Sequence, residues 1–203
     1  MITLDSTDEE ILDEMRRIRV LYTLKHTMRY QSVRDHDVHS ESVAEHLFAM
    51  QVIAQYFLPL EDPHGQLDRI RINELMLFHE LGEIETGDIL FHRKNDADRE
   101  AEKQAAERVA RQLPEALQHI ALHRLHEFDA CETAEALFAD AIDKIEPIFE
   151  MFEESVLPAF KRLHITRDMA VARKRDAAEH FPYMRRFLDA WENRAVSLNT
   201  FPA

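Results

Sequence analysis

Leu77-Phe78-His79-Glu80-Leu81-Gly82-Glu83 is the stretch on which the reading of this chain turns. An imidazole and a carboxylate stand side by side on a hydrophobic run, with another carboxylate four residues after the histidine. Ionisable groups among apolar neighbours are costly unless something pairs with them, and a divalent ion is one such partner. Upstream lies Glu45-His46, and downstream Asp143 sits on a further apolar stretch. His46, His79, Glu80 and Asp143 therefore offer two imidazoles and two carboxylates from three separated helices. Such a mixed N/O set suits a borderline or hard divalent ion and points to metal-assisted hydrolysis. The zincin helix motif needs a second histidine where this chain has Glu83, which argues against a metalloprotease.

The same run bears on fold class. Leu75, Met76, Phe78 and Leu81 make a helix over 70–84 that is apolar almost all round, as expected at the centre of a bundle. Thr7-Asp8-Glu9-Glu10 has the form of a capping box opening a helix through Ile11, Met15, Ile18 and Tyr22, fraying near Tyr30. Ser42-Val43-Ala44-Glu45 is a second capping box, with Ser40 as an alternative cap. The helix after it carries Val43, Leu47, Met50 and Ala54 on one face and is expected to stop before Pro59. Beyond Gly87, residues 96–113 read as a surface helix with a thin stripe of Ala101, Ala105 and Val109. Pro114 suits the first turn of the next helix, which runs towards Glu127. Thr133 opens a long apolar helix kinked at Pro147, and Thr166 opens the last long one, interrupted at Pro182. The expectation is an all-α, single-domain bundle of about six or seven helices over residues 1–203, without repeats or linkers.

Composition narrows the partners. A net charge of −14 argues against a nucleic acid polymer, but not against a single nucleotide, whose phosphate needs only a metal and one or two cations. Cys131 stands alone, so no internal disulfide forms. The acidic N-terminus lacks a signal-peptide pattern, and no apolar run approaches membrane-spanning length. A cytoplasmic protein without a membrane partner is expected.

The order His46, His79-Glu80, Asp143 resembles the HD superfamily of metal-dependent phosphohydrolases, whose ligands run H…HD…D. Within it the chain is most similar to the 5′-deoxynucleotidase-like branch. Glu41-Ser42-Val43-Ala44-Glu45-His46 resembles its S/E-x-V-x-E-H segment. His79 to Asp88 resembles H-D-x-x-E-x-x-x-G-D, and Asp140-Ala141-Ile142-Asp143 a late K/D-x-L/A-D element. The resemblance implies an HD-type bundle holding one divalent ion (Mn, Co, Mg, Fe, Ni or Zn) through His46, His79, Glu80 and Asp143. It also implies a homodimer. The departure is Glu80, one methylene longer than the family's Asp.

Around that ion the chain offers candidate catalytic and substrate groups. Glu83 lies one turn beyond His79, where a carboxylate can orient a water or move its proton to the leaving alkoxide. Asp88, by resemblance, contacts water or sugar, and Glu45 has a supporting place. The resemblance also puts an Arg followed by an aromatic residue at Arg29-Tyr30, with Tyr30 where Trp is usual. Arg29 would then grip phosphate and Tyr30 would stack on a base. Lys94 lies six residues after Asp88 as in G-D-x-P-x-x-x-K, although Leu90 replaces the Pro. His119, His123 and His126 line one helical face, suited either to a second metal or, beside Arg124 and Glu127, to an exposed polar stripe. The expected reaction is hydrolysis of a phosphomonoester, best a (deoxy)nucleoside 5′-monophosphate. The alternatives are a phosphodiester or pyrophosphate hydrolase and a non-catalytic metal- or nucleotide-binding module.

Overall fold

The computed structural model describes residues 17–29, 41–152 and 157–202. The capping box at Thr7 to Glu10, the start of the first expected helix, Ser40 and Tyr30 lie outside the described residues. A 3-10 helix, Arg19–Lys25, precedes helices α1 (Val43–Glu61), α2 (Arg69–Phe78), α3 (Glu83–Thr86), α4 (Asp96–Ala110) and α5 (Glu115–Ala130). There follow α6 (Ala134–Glu150), α7 (Pro158–Arg162), α8 (Arg167–Ala177) and α9 (Pro182–Ser197). The fold is all-α: the described residues hold no strand, only an isolated antiparallel bridge between Met28 and Ser42. None of their helices is long and apolar enough to cross a membrane.

The described residues fall into two compact units. The first takes in 17–29, 41–47 and Asn73–Ala130; the second takes in Phe48–Ile72 and the residues from Cys131 onward. In the first, Phe78 and Leu81 are buried with Ala106, Val109 and Ala110 of α4 and Ala121 and Leu125 of α5. Helix α4 begins at a capping box in which Asn95 Oδ1 accepts from Asp98 N at 3.1 Å and Asp98 Oδ2 from Asn95 N at 2.9 Å. Its buried face is Ala105, Ala106, Val109 and Ala110; Ala101, assigned to the stripe from the sequence, is exposed. These small side chains let α4 come so close to Gly82 that a Cβ there would lie 2.4 Å from Glu102 O.

In the second unit α6 buries Phe138, Ile142, Ile145 and Ile148, and Thr133 Oγ1 caps it by accepting from Ala136 N at 3.2 Å. Thr166 caps α8 in the same way, accepting from Met169 N at 3.3 Å. Phe57, Phe149 and Phe187 stack edge-on or tilted with centroids 5.0–6.3 Å apart.

Two helix ends differ from the sequence reading. Helix α1 runs through Pro59 to Glu61 instead of stopping before it. The proline is exposed and only two residues from the end, while buried Phe57 and Leu58 pin that last turn. The expected helix over 70–84 ends at Phe78, and α3 resumes at Glu83. Between them the amides bond three residues back: Leu81 N to Phe78 O and Glu83 N to Glu80 O, each at 3.2 Å. The close approach of α4 at Gly82 accompanies this tightening. Helix α2 is also less buried than expected, since Ile70 and Leu77 are exposed.

Candidate metal and phosphate site

The break after Phe78 decides where His79 points. Its Nδ1 lies 2.9 Å from Met76 O, and a carbonyl only accepts, so Nδ1 carries the proton. A neutral ring then has its lone pair on Nε2, which faces Glu80 Oε1 at 3.3 Å. Two electron-rich atoms so placed call for a cation between or beside them: a proton on the ring or a metal ion. A backbone carbonyl behind the ring is also how metal-binding histidines are held. The His79 side chain is 4% exposed, and Phe128 covers it with ring centroids 4.7 Å apart.

His46 enters from the first turn of α1 and is fully buried, its ring centroid 6.2 Å from that of His79. The turn is set by Ser42 and Glu45: Glu45 Oε2 accepts from Ser42 N and Ser42 Oγ, both at 2.7 Å, while Ser42 Oγ accepts from Glu45 N at 3.3 Å. This is the capping box read from the sequence, and it gives Glu45 a structural task. One ligand atom from each of His46, His79 and Glu80 lies within 4.8 Å of the others. The donor set fits a divalent ion with mixed nitrogen and oxygen preference.

Arg29 adjoins this set. Its Nη1 lies 2.7 Å from Glu41 Oε2 and 2.8 Å from His46 Nδ1; a guanidinium only donates, so here His46 Nδ1 accepts and its ring proton sits on Nε2, and His46 offers a nitrogen lone pair to an ion only once Arg29 has left Nδ1.

On the other side Glu80, Glu83 and Glu102 bring carboxylate oxygens within 4.8 Å of one another. Burial, reinforced by the charges of Glu80, Asp88 and Glu102 and opposed by Arg29, holds the Glu83 carboxyl well above its usual range. Glu102 is raised too, mainly by burial, although its ion pair with Lys94 works against the rise. Asp88, half-buried, follows Gly87, whose φ of 69° and ψ of 162° belong to a region that only glycine adopts readily.

Asp143 lies on α6 in the second unit, half-buried, with its Oδ2 bonded by Lys144 Nζ, which also stands 3.4 Å from Asp140 Oδ1. Burial disfavours the Lys144 charge, but Asp143 and Asp140 outweigh it and hold the ammonium above its usual range. The face of His119, His123 and His126 is a polar stripe. His119 and His123 stack at 6.3 Å, His123 Nδ1 is 3.1 Å from Arg124 Nη1, and His126 Nε2 is 3.2 Å from Glu107 Oε1. Among the described residues no potential metal-binding group includes them.

Two residues of the site escaped the sequence reading. Glu41 and Glu102 each hold one of the two expected phosphate cations, Arg29 and Lys94. Glu41 stood inside the segment that carried the family resemblance, so a signal was present; Glu102, among the charges of α4, offered none.

Residues 21–184 match the HD domain family, most of the chain, and the protein belongs to it. Two curated relatives, both named 5′-deoxynucleotidase HDDC2, are similar. That of Dictyostelium discoideum is 27% identical over 58% of this chain and that of Bos taurus 29% identical over 67%. Each match takes in 65% of the relative, so the chain spans slightly less than two thirds of their length. Among solved structures, a protein of Magnetospirillum magnetotacticum described as a predicted metal-dependent phosphohydrolase superposes over the whole of both chains, with a TM-score of 0.80 at 24% identity. An HD-domain phosphohydrolase of Listeria innocua covers 90% of this chain and 85% of its own, with a TM-score of 0.58 at 20% identity. At these identities the two structures bear on the fold.

Proposed function

We propose that this protein is a metal-dependent phosphohydrolase acting on a phosphomonoester, with nucleoside 5′-monophosphates, including deoxynucleotides, as its substrate class. The observation that carries the reading is His79: its Nε2 lone pair faces Glu80 beside buried His46, with Arg29 adjoining. Asp143 completes the ligand set by its place in the family's order. A divalent ion held there supplies Lewis acidity and makes hydroxide available near neutral pH. Glu83, a buried carboxyl with a raised affinity for protons, takes up the proton of the attacking water and returns it to the leaving alkoxide. Arg29 and Lys94 align the phosphate, Asp88 accepts from a sugar hydroxyl or water, and Tyr30 offers its ring to the base. The names of the two curated relatives support the substrate class.

The match over 21–184 supports treating residues 1–203 as one HD domain. A homodimer accords with α1, which has no charged residue between His46 and Glu61 and exposes Phe48, Val52 and Tyr56 at four-residue spacing. The lone cysteine accords with a cytoplasmic setting.

The test is metal analysis of the wild type and His79→Ala, with phosphate release from a nucleoside monophosphate panel under added Mn, Co or Mg. The expected result is about one metal per chain, lost in the variant together with turnover. Metal retained without turnover on any substrate would overturn the enzymatic reading and assign Glu80, in place of Asp, to a binding module.

A further inference from the structure

Asp143 shares α6 with a cation, Lys144. On a helix, side chains four apart face each other and adjacent ones diverge. The regular partner of Lys144 is therefore Asp140, one turn back, with the acid N-terminal to the base as such pairs favour. Its Nζ does stand 3.4 Å from Asp140 Oδ1, yet it also turns aside to bond Oδ2 of the adjacent Asp143. That turn has a physical reason. The Asp143 side chain is 12% exposed, and Ala141, Ile142 and Ile145 beside it are fully buried, so its charge needs a cation close by. Lys144 meets the need. Among the described residues its ion pairs are with these two carboxylates, which keep the ammonium charged although burial opposes it. Arg173 adds a like charge to its surroundings.

A divalent ion held by Asp143 asks for the same carboxylate. An ammonium and a dication on one half-buried carboxyl group repel each other, and the ammonium has a second carboxylate, Asp140, within reach. We propose that Lys144 is an affinity-setting residue of the metal site: its ammonium competes with the ion for Asp143, and Asp140 takes the ammonium over when the ion binds. Lys144 thus loosens the hold on the metal and Asp140 tightens it. The proposal rests on the reading of Asp143 as a metal ligand. It differs from a purely structural role, in which loss of either residue weakens the site, because the two substitutions act in opposite directions.

The experiment titrates manganese calorimetrically into the chelator-stripped full chain, with melting temperatures taken before and after loading. The proteins are the wild type, Lys144→Met, Lys144→Arg, Asp140→Asn, the Lys144→Met/Asp140→Asn double variant and Asp143→Asn. Lys144→Met is expected to tighten manganese binding by about tenfold. It melts lower than the wild type when stripped and gains more on loading. Lys144→Arg keeps the competitor and stays near wild-type affinity. Asp140→Asn leaves the ammonium no second carboxylate and loosens binding by about tenfold. On the Lys144→Met background the same substitution loosens nothing, because no ammonium is left to move. Manganese binding unchanged or weakened in Lys144→Met, or unchanged or tightened in Asp140→Asn, would overturn the proposal. So would a loss from Asp140→Asn that persists without Lys144. Asp143→Asn separates the proposal from the reading beneath it. Manganese lost there, with Lys144→Met at wild-type affinity, sinks the competition alone; manganese held there at wild-type affinity sinks Asp143 as a ligand.

Discussion

Glu83 carries a pH signature of its own. Its folded pKa lies above the ordinary value of 4.5, so the unfolded chain tolerates its charge better than the folded one. Below that ordinary value both states are protonated and nothing is lost. As pH rises from there through the elevated folded pKa, a penalty builds and then levels off. In metal-free protein, Glu83→Gln is therefore expected to raise the melting temperature at mildly alkaline pH and leave it unchanged in acid; thermal scans across pH check this, and a pH-independent difference contradicts it. The same substitution is expected to lower turnover by roughly a hundredfold or more. His79 and Glu80 were legible in the sequence because polar groups on an apolar run need a reason. Glu102 was not: in a chain that is 32% charged, a carboxylate signals nothing until its partner is known, and the fold supplies Lys94.

At the scale of elements, the helices opened by Ser42, Thr133 and Thr166 were readable because each cap is followed by a run of helical period. The end of α2 was not, since Leu81 and Ile84 continue the apolar pattern past the break, and the close approach of α4 at Gly82 comes from elsewhere in the chain. Gly82→Ala would set its Cβ 2.4 Å from Glu102 O, a backbone atom, so α4 must shift. A cost of about 1–3 kcal/mol is expected, read as a fall of several degrees in melting temperature, together with weaker phosphate binding as Lys94 and Glu102 move. Gly87→Ala meets nothing within 4 Å, so its cost, again about 1–3 kcal/mol, comes from backbone strain alone. It is expected to disturb Asp88 while leaving metal retention intact, which metal analysis of both variants checks.

For the whole molecule the governing fact is charge. To receive the phosphate dianion of the proposed substrate, a chain at −14 has to concentrate cations, yet Arg29 and Lys94 each sit against a carboxylate of their own. Without an added ion both cations are paired and Glu80, Glu83 and Asp88 add further acidic groups, so the site presents no surplus positive charge to a phosphate. Inorganic phosphate is therefore expected to bind the metal-loaded protein and to give no measurable heat with the chelated one; equal binding in both would refute this. Such closed pairs also impose a direction in time. Ion before phosphate becomes the only productive sequence, and because coupling between two ligands is reciprocal, the later arrival tightens the grip on the earlier one. A chelator then strips the protein more slowly in the presence of saturating phosphate, and in the proposed reaction each turnover, by releasing phosphate, would reopen the moment at which the ion can escape.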